Sequence, residues 1–212
     1  MMEKTSKWPT LKRELIAILR GLEPRNALQT ASALVEAGFE AIEIPLNSPD
    51  PFVSIEMVAR EFGNTVLVGA GTVLTAENVD RLNDAGGRLL VSPNIDTAVL
   101  ARANAHSMVT MPGVFSPTEA LAALAAGASG LKFFPASVLG PSGIKAISAV
   151  LPKGTPIGAV GGVSETDFEA YGKAGIRIFG LGSSIFQPGM EVSDIAKRAQ
   201  RTVTEWDRVF AG

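Results

Sequence analysis

Short apolar runs recur along the chain at intervals of roughly two to three dozen residues, and each is followed by a stretch with apolar positions at helical spacing, the alternation expected of α/β folds. Eight such units can be counted, with strands predicted at 15–20, 41–46, 66–71, 89–92, 108–111, 130–134, 156–161 and 178–182. Most of these runs are apolar throughout rather than alternating, as expected of parallel strands covered on both faces. The helices between them carry start and stop signals. Pro24, Pro51 and Pro117 fall in first turns, where a missing N–H costs nothing, and Thr75, Asp96 and Ser164 can act as N-caps. Gly38, Gly86, Gly127 and Gly175, each preceded by alanine, can take a left-handed turn before the next strand.

Eight βα units with right-handed crossovers close most naturally into a (β/α)8 TIM barrel, and 1–212 reads as one such domain. The rival is an open doubly wound sheet. The barrel is preferred because chemically unusual residues sit at the carboxyl ends of many strands, whereas an open sheet concentrates its site at one switch point. The residues before Leu15 are predicted to form an extra N-terminal helix plugging or flanking the barrel bottom. The segment 193–210, with Ile195, Ala199, Val203 and Trp206 at helical spacing, is predicted to be the last outer helix.

Composition narrows the function. Nineteen Lys and Arg against 21 Asp and Glu leave a net charge of −2, with the basic residues dispersed, so nucleic acid is not an expected partner. The absence of cysteine excludes disulfides, thiolate metal sites and a thiol nucleophile. The charged amino terminus lacks the apolar core of a secretory signal, and no apolar stretch reaches membrane-spanning length. The expectation is a cytoplasmic protein with no membrane partner.

Lys132 is the most informative residue. It interrupts an otherwise buried strand, GLKFFP at 130–135, and burying an ammonium without purpose costs several kcal/mol. Strand alternation sends Leu131 and Phe133 to the outer helices and Lys132 into the barrel. Desolvation there, with a neighbouring cation such as Arg20, would leave a neutral amine able to attack a ketone. The competing reading is a snorkelling or structurally paired lysine. Glu43, between Ile42 and Ile44, poses the same problem with opposite sign: it can be a proton shuttle for imine chemistry or half of a buried salt bridge. Arg20 ends the first strand and suits a carboxylate or phosphate, though rim ion pairs are nearly as common.

Two glycine-rich strand ends, VGG at 160–162 and GLGSS at 180–184, lie where barrels commonly hold phosphate through backbone N–H groups, and Ser183 can add a hydroxyl. Thr72, in GAGTV at 69–73, can bond a substrate carboxylate. The glycine pair there lacks the rest of a dinucleotide fingerprint, so nicotinamide binding is rejected. The single histidine, His106, at a helix end, can neither build a multi-histidine metal site nor find a nucleophile elbow to serve.

These runs together resemble a known family. ILRG at 18–21, EIPLNSP at 43–49, GAGTV at 69–73, SPN at 92–94, LKFFPA at 131–136, VGGV at 160–163 and Gly182-Ser183 are similar, in order and over nearly the whole chain, to the class I 2-keto-3-deoxy-6-phosphogluconate and 6-phosphogalactonate aldolases. The resemblance implies a Schiff base at Lys132, proton transfer by Glu43, and substrate binding by Arg20 and Thr72. It adds Pro93, Phe134 and Val160 to the substrate-binding set, and assigns the phosphate to Gly161, Gly162 and Ser183. It implies no metal or organic cofactor, a homotrimer, and a phosphorylated sugar acid cleaved to pyruvate and glyceraldehyde 3-phosphate. Val160 and Asn47 stand where the gluconate enzymes usually have threonine and arginine, which resembles the galactonate branch. The gluconate epimer is the alternative main substrate. An isomerase that enolises without an imine, and a non-catalytic sugar-phosphate sensor, are the rivals from other classes.

Overall fold

The structure is a computed structural model and describes residues 6–211. Its strands are β1 (Leu15–Ile18), β2 (Ala41–Pro45), β3 (Leu67–Gly71), β4 (Leu89–Val91), β5 (Val109–Met111), β6 (Gly113–Val114), β7 (Leu131–Phe133), β8 (Ile157–Val160) and β9 (Ile178–Leu181). All pair in parallel, in the order β5-β4-β3-β2-β1-β9-β8-β7-β6. The two ends of that order are consecutive pieces of one extended segment, split where Pro112 has no N–H to give to the ladder. The N–H groups of Gly130, Lys132 and Phe134 donate to the carbonyls of Thr110, Pro112 and Val114 at 3.0–3.1 Å, which stitches the ring shut. The eight predicted strands are therefore all present, and the fifth continues past its predicted end.

The helices are α1 (Pro24–Ala37), α2 (Pro51–Phe62), α3 (Ala76–Asp84), α4 (Thr97–Ala105), α5 (Pro117–Ala125), α6 (Ala136–Ser148), α7 (Phe168–Lys173) and α8 (Val192–Phe210). Their caps form as the sequence predicts. Thr75 accepts from the Asn78 N–H and Asp96 from those of Ala98 and Val99, while Ser164 forms a capping box with Asp167 at the 3-10 turn before α7. Gly38, Gly86, Gly127 and Gly175 all have φ between 78° and 107°, the left-handed geometry that ends a helix at little cost to glycine. On α8, Ile195, Ala199, Val203 and Trp206 are buried along one face.

Strand alternation divides the core in two. Outward residues such as Leu15, Ile42, Val68, Leu131, Phe133 and Phe179 pack under the helices. Inward residues Ile16, Ala41, Leu89, Val91, Met111 and Ile178 form a second, smaller cluster that closes the barrel from below. The predicted N-terminal helix is a correction: residues 6–14 form none, and residues 1–5 lie outside the described part. Trp8 and Leu11 still pack against the inner cluster, so the segment plugs the barrel bottom in an irregular conformation. Pro9 cannot donate a helical hydrogen bond and disfavours helical geometry at Trp8. The N–H groups of Lys12 and Arg13 are spent on the Glu40 carboxylate, and Arg13 is held by Asp207 at 2.6 Å.

Candidate active site

The sixth barrel strand, β7, is held in register so that Lys132 lies opposite Gly113 on one side and Gly158 on the other. The space that these glycines leave is taken by the Met111 side chain beside Gly158 and the Pro93 backbone beside Gly113. Below Lys132 lies the apolar floor that includes Met111. Lys132 is consequently only 6% exposed, and its ammonium sits 4.6 Å from the centre of the Phe134 ring. Burial pushes the Lys132 ammonium below the usual lysine range; the Glu43 carboxylate opposes this and the Arg20 guanidinium reinforces it. A snorkelling lysine would keep its head in water, and this one does not.

Glu43 enters the same space from β2 and is 2% exposed. Its neighbour in register is Gly69, and a methyl group at Gly71 would overlap its Oε1 atom. The two glycines of β3 thus form the berth of this carboxylate, a use of GAGTV beyond keeping the mouth clear. Burial raises the Glu43 carboxyl above the ordinary range, against the opposing charges of Lys132 and Arg20. Among the described residues the two groups form no direct ion pair, so their coupling acts through space and each stays available to a third molecule.

Both groups open into a cavity of about 320 Å³ at the carboxyl ends of the strands, a volume in the range of small-molecule sites. Of the residues singled out in the sequence, Arg20, Glu43, Lys132, Phe134, Val160, Gly161, Gly162 and Ser183 line it. Arg20 stands exposed at its mouth, where its Nη1 donates to the Asn47 Oδ1 at 2.8 Å. The Ser48 hydroxyl accepts the Gly21 N–H at 2.9 Å and pins the turn that carries Arg20. At the far side Gly161 and Gly162 have φ of 91° and 71°, and side chains there would collide with Phe134 and Ser137. The loop after β8 can therefore approach a ligand only as glycine backbone.

The cavity does not reach Thr72 or Pro93. Thr72 follows β3 with φ of 57°, a strained value for a β-branched residue, and the Pro93 carbonyl packs against Gly113, the register neighbour of Lys132. The sequence reading missed Ile18, Val163, Phe186, Gln187 and Pro188, which complete the wall. Gln187 and Pro188 follow the GLGSS run two residues on, after Ile185 and Phe186, and a loop rich in turn residues beyond a barrel strand was the available signal. His106 ends α4 with Nε2 2.7 Å from Asp80 Oδ1, away from this cavity's lining.

Residues 10–201 match the family described as KDPG and KHG aldolase. The chain belongs to this aldolase family. A probable 2-dehydro-3-deoxy-6-phosphogalactonate aldolase of Rhizobium meliloti is 61% identical to it over 96% of both chains. The 2-dehydro-3-deoxy-6-phosphogalactonate aldolase of Escherichia coli is 46% identical over 91% of this chain and 94% of its own. Among solved structures, a native KDPGal structure superimposes with a TM-score of 0.94 at 43% identity, covering 97% of this chain and 100% of that one. The KDPG aldolase of Legionella pneumophila, with pyruvate captured at low pH as a covalent carbinolamine intermediate, gives 0.79 at 28% identity over 90% and 94%. The barrel of this aldolase is thus the fold of its relatives.

Proposed function

We propose that this aldolase, acting as one barrel over 1–212, cleaves 2-dehydro-3-deoxy-6-phosphogalactonate to pyruvate and glyceraldehyde 3-phosphate through an imine at Lys132. The observation that carries the reading is the pairing, at the buried end of one cavity, of an amine whose pKa is lowered and a carboxyl whose pKa is raised. The two closely similar proteins named for this substrate, and the covalent pyruvate adduct in a family member, support it.

The neutral Lys132 amine attacks the C2 ketone, and Glu43 carries the protons that turn the carbinolamine into an iminium with loss of water. The Glu43 carboxylate takes the C4 hydroxyl proton, the C3–C4 bond breaks to expel glyceraldehyde 3-phosphate, and the electron pair enters the iminium to give an enamine. Glu43 returns a proton to C3, and water releases pyruvate and the free amine. Arg20 binds the substrate at the mouth, while Thr72 and Pro93, after β3 and β4, lie outside the cavity lining and take no part in this scheme. The backbone of Gly161 and Gly162, with Ser183, takes the phosphate, which fixes the alignment of the reacting carbons from a distance.

Val160 is buried in the cavity wall beside Gly180 and presents only methyl groups. A wall without a hydroxyl offers no hydrogen bond to the C4 hydroxyl in its gluconate configuration, which favours the galactonate epimer. Pyruvate release from the two epimeric acids, measured side by side, should be faster for the galactonate acid. Val160→Thr should move the ratio toward the gluconate acid by about tenfold, within the roughly 1–3 kcal/mol that one such contact can supply. A wild-type enzyme faster on the gluconate acid would reverse the substrate assignment. Assembly as a homotrimer and a cytoplasmic place in galactonate degradation belong to the same reading. A sedimentation measurement reads the stoichiometry directly.

A further inference from the structure

The loop after β9 is tied to the outer helix α8 in a way the reaction scheme does not yet use. Gly182 accepts the N–H groups of Ile185 and Phe186 at 2.9 Å, which folds 182–186 into a single tight turn anchored by the buried Ile185 and Phe186 side chains. From α8, the half-buried Arg198 donates through Nη1 to the Ser183 carbonyl at 3.1 Å and to the Ser184 carbonyl at 3.4 Å. The Gln187 amide adds a second donor to the Ser183 carbonyl at 3.3 Å. Among the described residues the N–H groups of Ser183 and Ser184 have no acceptor, and the buried Ser184 hydroxyl has no partner either.

A trans peptide points its C=O and N–H in opposite directions. With the Ser183 carbonyl drawn toward α8, the Ser184 N–H of the same peptide is turned away from that helix. We propose that Arg198 is a positioning residue for the phosphate end of the cavity: by holding these two carbonyls it aims the Ser184 N–H at the anion. It also polarises the peptide that donates, since a carbonyl bonded to a guanidinium makes its own N–H a stronger donor. The inference rests on the reading that Gly161, Gly162 and Ser183 hold the substrate phosphate. Arg198 itself does not line the cavity, so it acts through the loop and not on the ligand.

The test compares Arg198→Met, which keeps the aliphatic stem and removes the donors, with Arg198→Lys, which restores one charged donor. In the full-length enzyme, Arg198→Met should raise KM for the phosphorylated acid and weaken inhibition by inorganic phosphate by about tenfold each. The same variant should still form the pyruvate adduct at Lys132, and Arg198→Lys should recover much of the loss. A folded Arg198→Met enzyme with KM and phosphate inhibition unchanged overturns the inference. Equal loss of adduct formation and thermal stability overturns it too, because the arginine would then be a fold staple. A wild-type enzyme indifferent to phosphate, and equally active on the dephosphorylated acid, would bring down the phosphate reading itself and the inference with it.

Discussion

Lys132→Met is expected to reduce pyruvate release by on the order of 10⁴-fold or more, since the nucleophile of a covalent mechanism has no substitute in the cavity. The same change should raise the melting temperature under mildly acidic conditions. The folded-state pKa of Lys132 is lowered by burial, so the unfolded chain binds its proton more readily than the folded one. Stability is therefore lost as pH falls from the ordinary lysine value through the lowered one, and the folded enzyme carries that cost at neutral and acidic pH. Methionine fills similar volume without a charge to desolvate. The gain should be about 1–2 kcal/mol, or roughly 2–8 °C in a chain of this size.

Glu43 sets the pH dependence of that gain. Its folded-state pKa is raised by burial and held down in part by Lys132, so removing the lysine raises it further. The folded variant then binds a proton that the unfolded chain releases, and stability falls as pH rises from the ordinary carboxyl range through the raised pKa. The advantage of Lys132→Met over wild type should be largest near the acidic end and shrink toward alkaline pH. Thermal melts of both proteins across pH read this directly. A destabilised variant at every pH would mean that the lysine is a structural ion-pair partner, the competing reading of this residue.

Glu43→Gln is expected to lower turnover by about 10²–10⁴-fold with the fold intact, the range for loss of one proton-transfer group. The pH profile should change as well as the rate. The Glu43 carboxylate raises the Lys132 pKa, so without it the amine loses its proton more easily. The ascending limb of imine formation with pyruvate should move to lower pH, and the limb that depends on protonated Glu43 should vanish. Turnover within about twofold of wild type would remove Glu43 from proton transfer.

Much of this was legible in the sequence because the barrel imposes local rules. Parallel strands covered on both faces must be apolar, so Lys132 and Glu43 stood out against their neighbours before any coordinate was known. The capping residues Thr75, Asp96 and Ser164 act on their own helices, and they were found for the same reason. What escaped depends on contacts distant in sequence. The N-terminal segment has charges and apolar residues at plausible helical spacing, yet Trp8 and Leu11 gain more from the open barrel bottom, and Glu40 takes the N–H groups of Lys12 and Arg13. The break in α6, where Gly140 has φ of 66° beside Pro141, is plain in hindsight from the glycine-proline pair. The berth that Gly71 makes for Glu43 and the tie from Arg198 to Ser183 join residues with no common local pattern, and only the closed ring brings them together.

Everything in the proposed chemistry depends on a neutral, buried amine at position 132 that bonds covalently to a keto acid. Borohydride reduction in the presence of pyruvate, followed by peptide mass analysis, tests it most directly. The expected result is a single reduced pyruvate adduct on the peptide carrying Lys132, with irreversible loss of activity. An enzyme that stays active and unlabelled after this treatment, or that carries the adduct on another lysine, would contradict it.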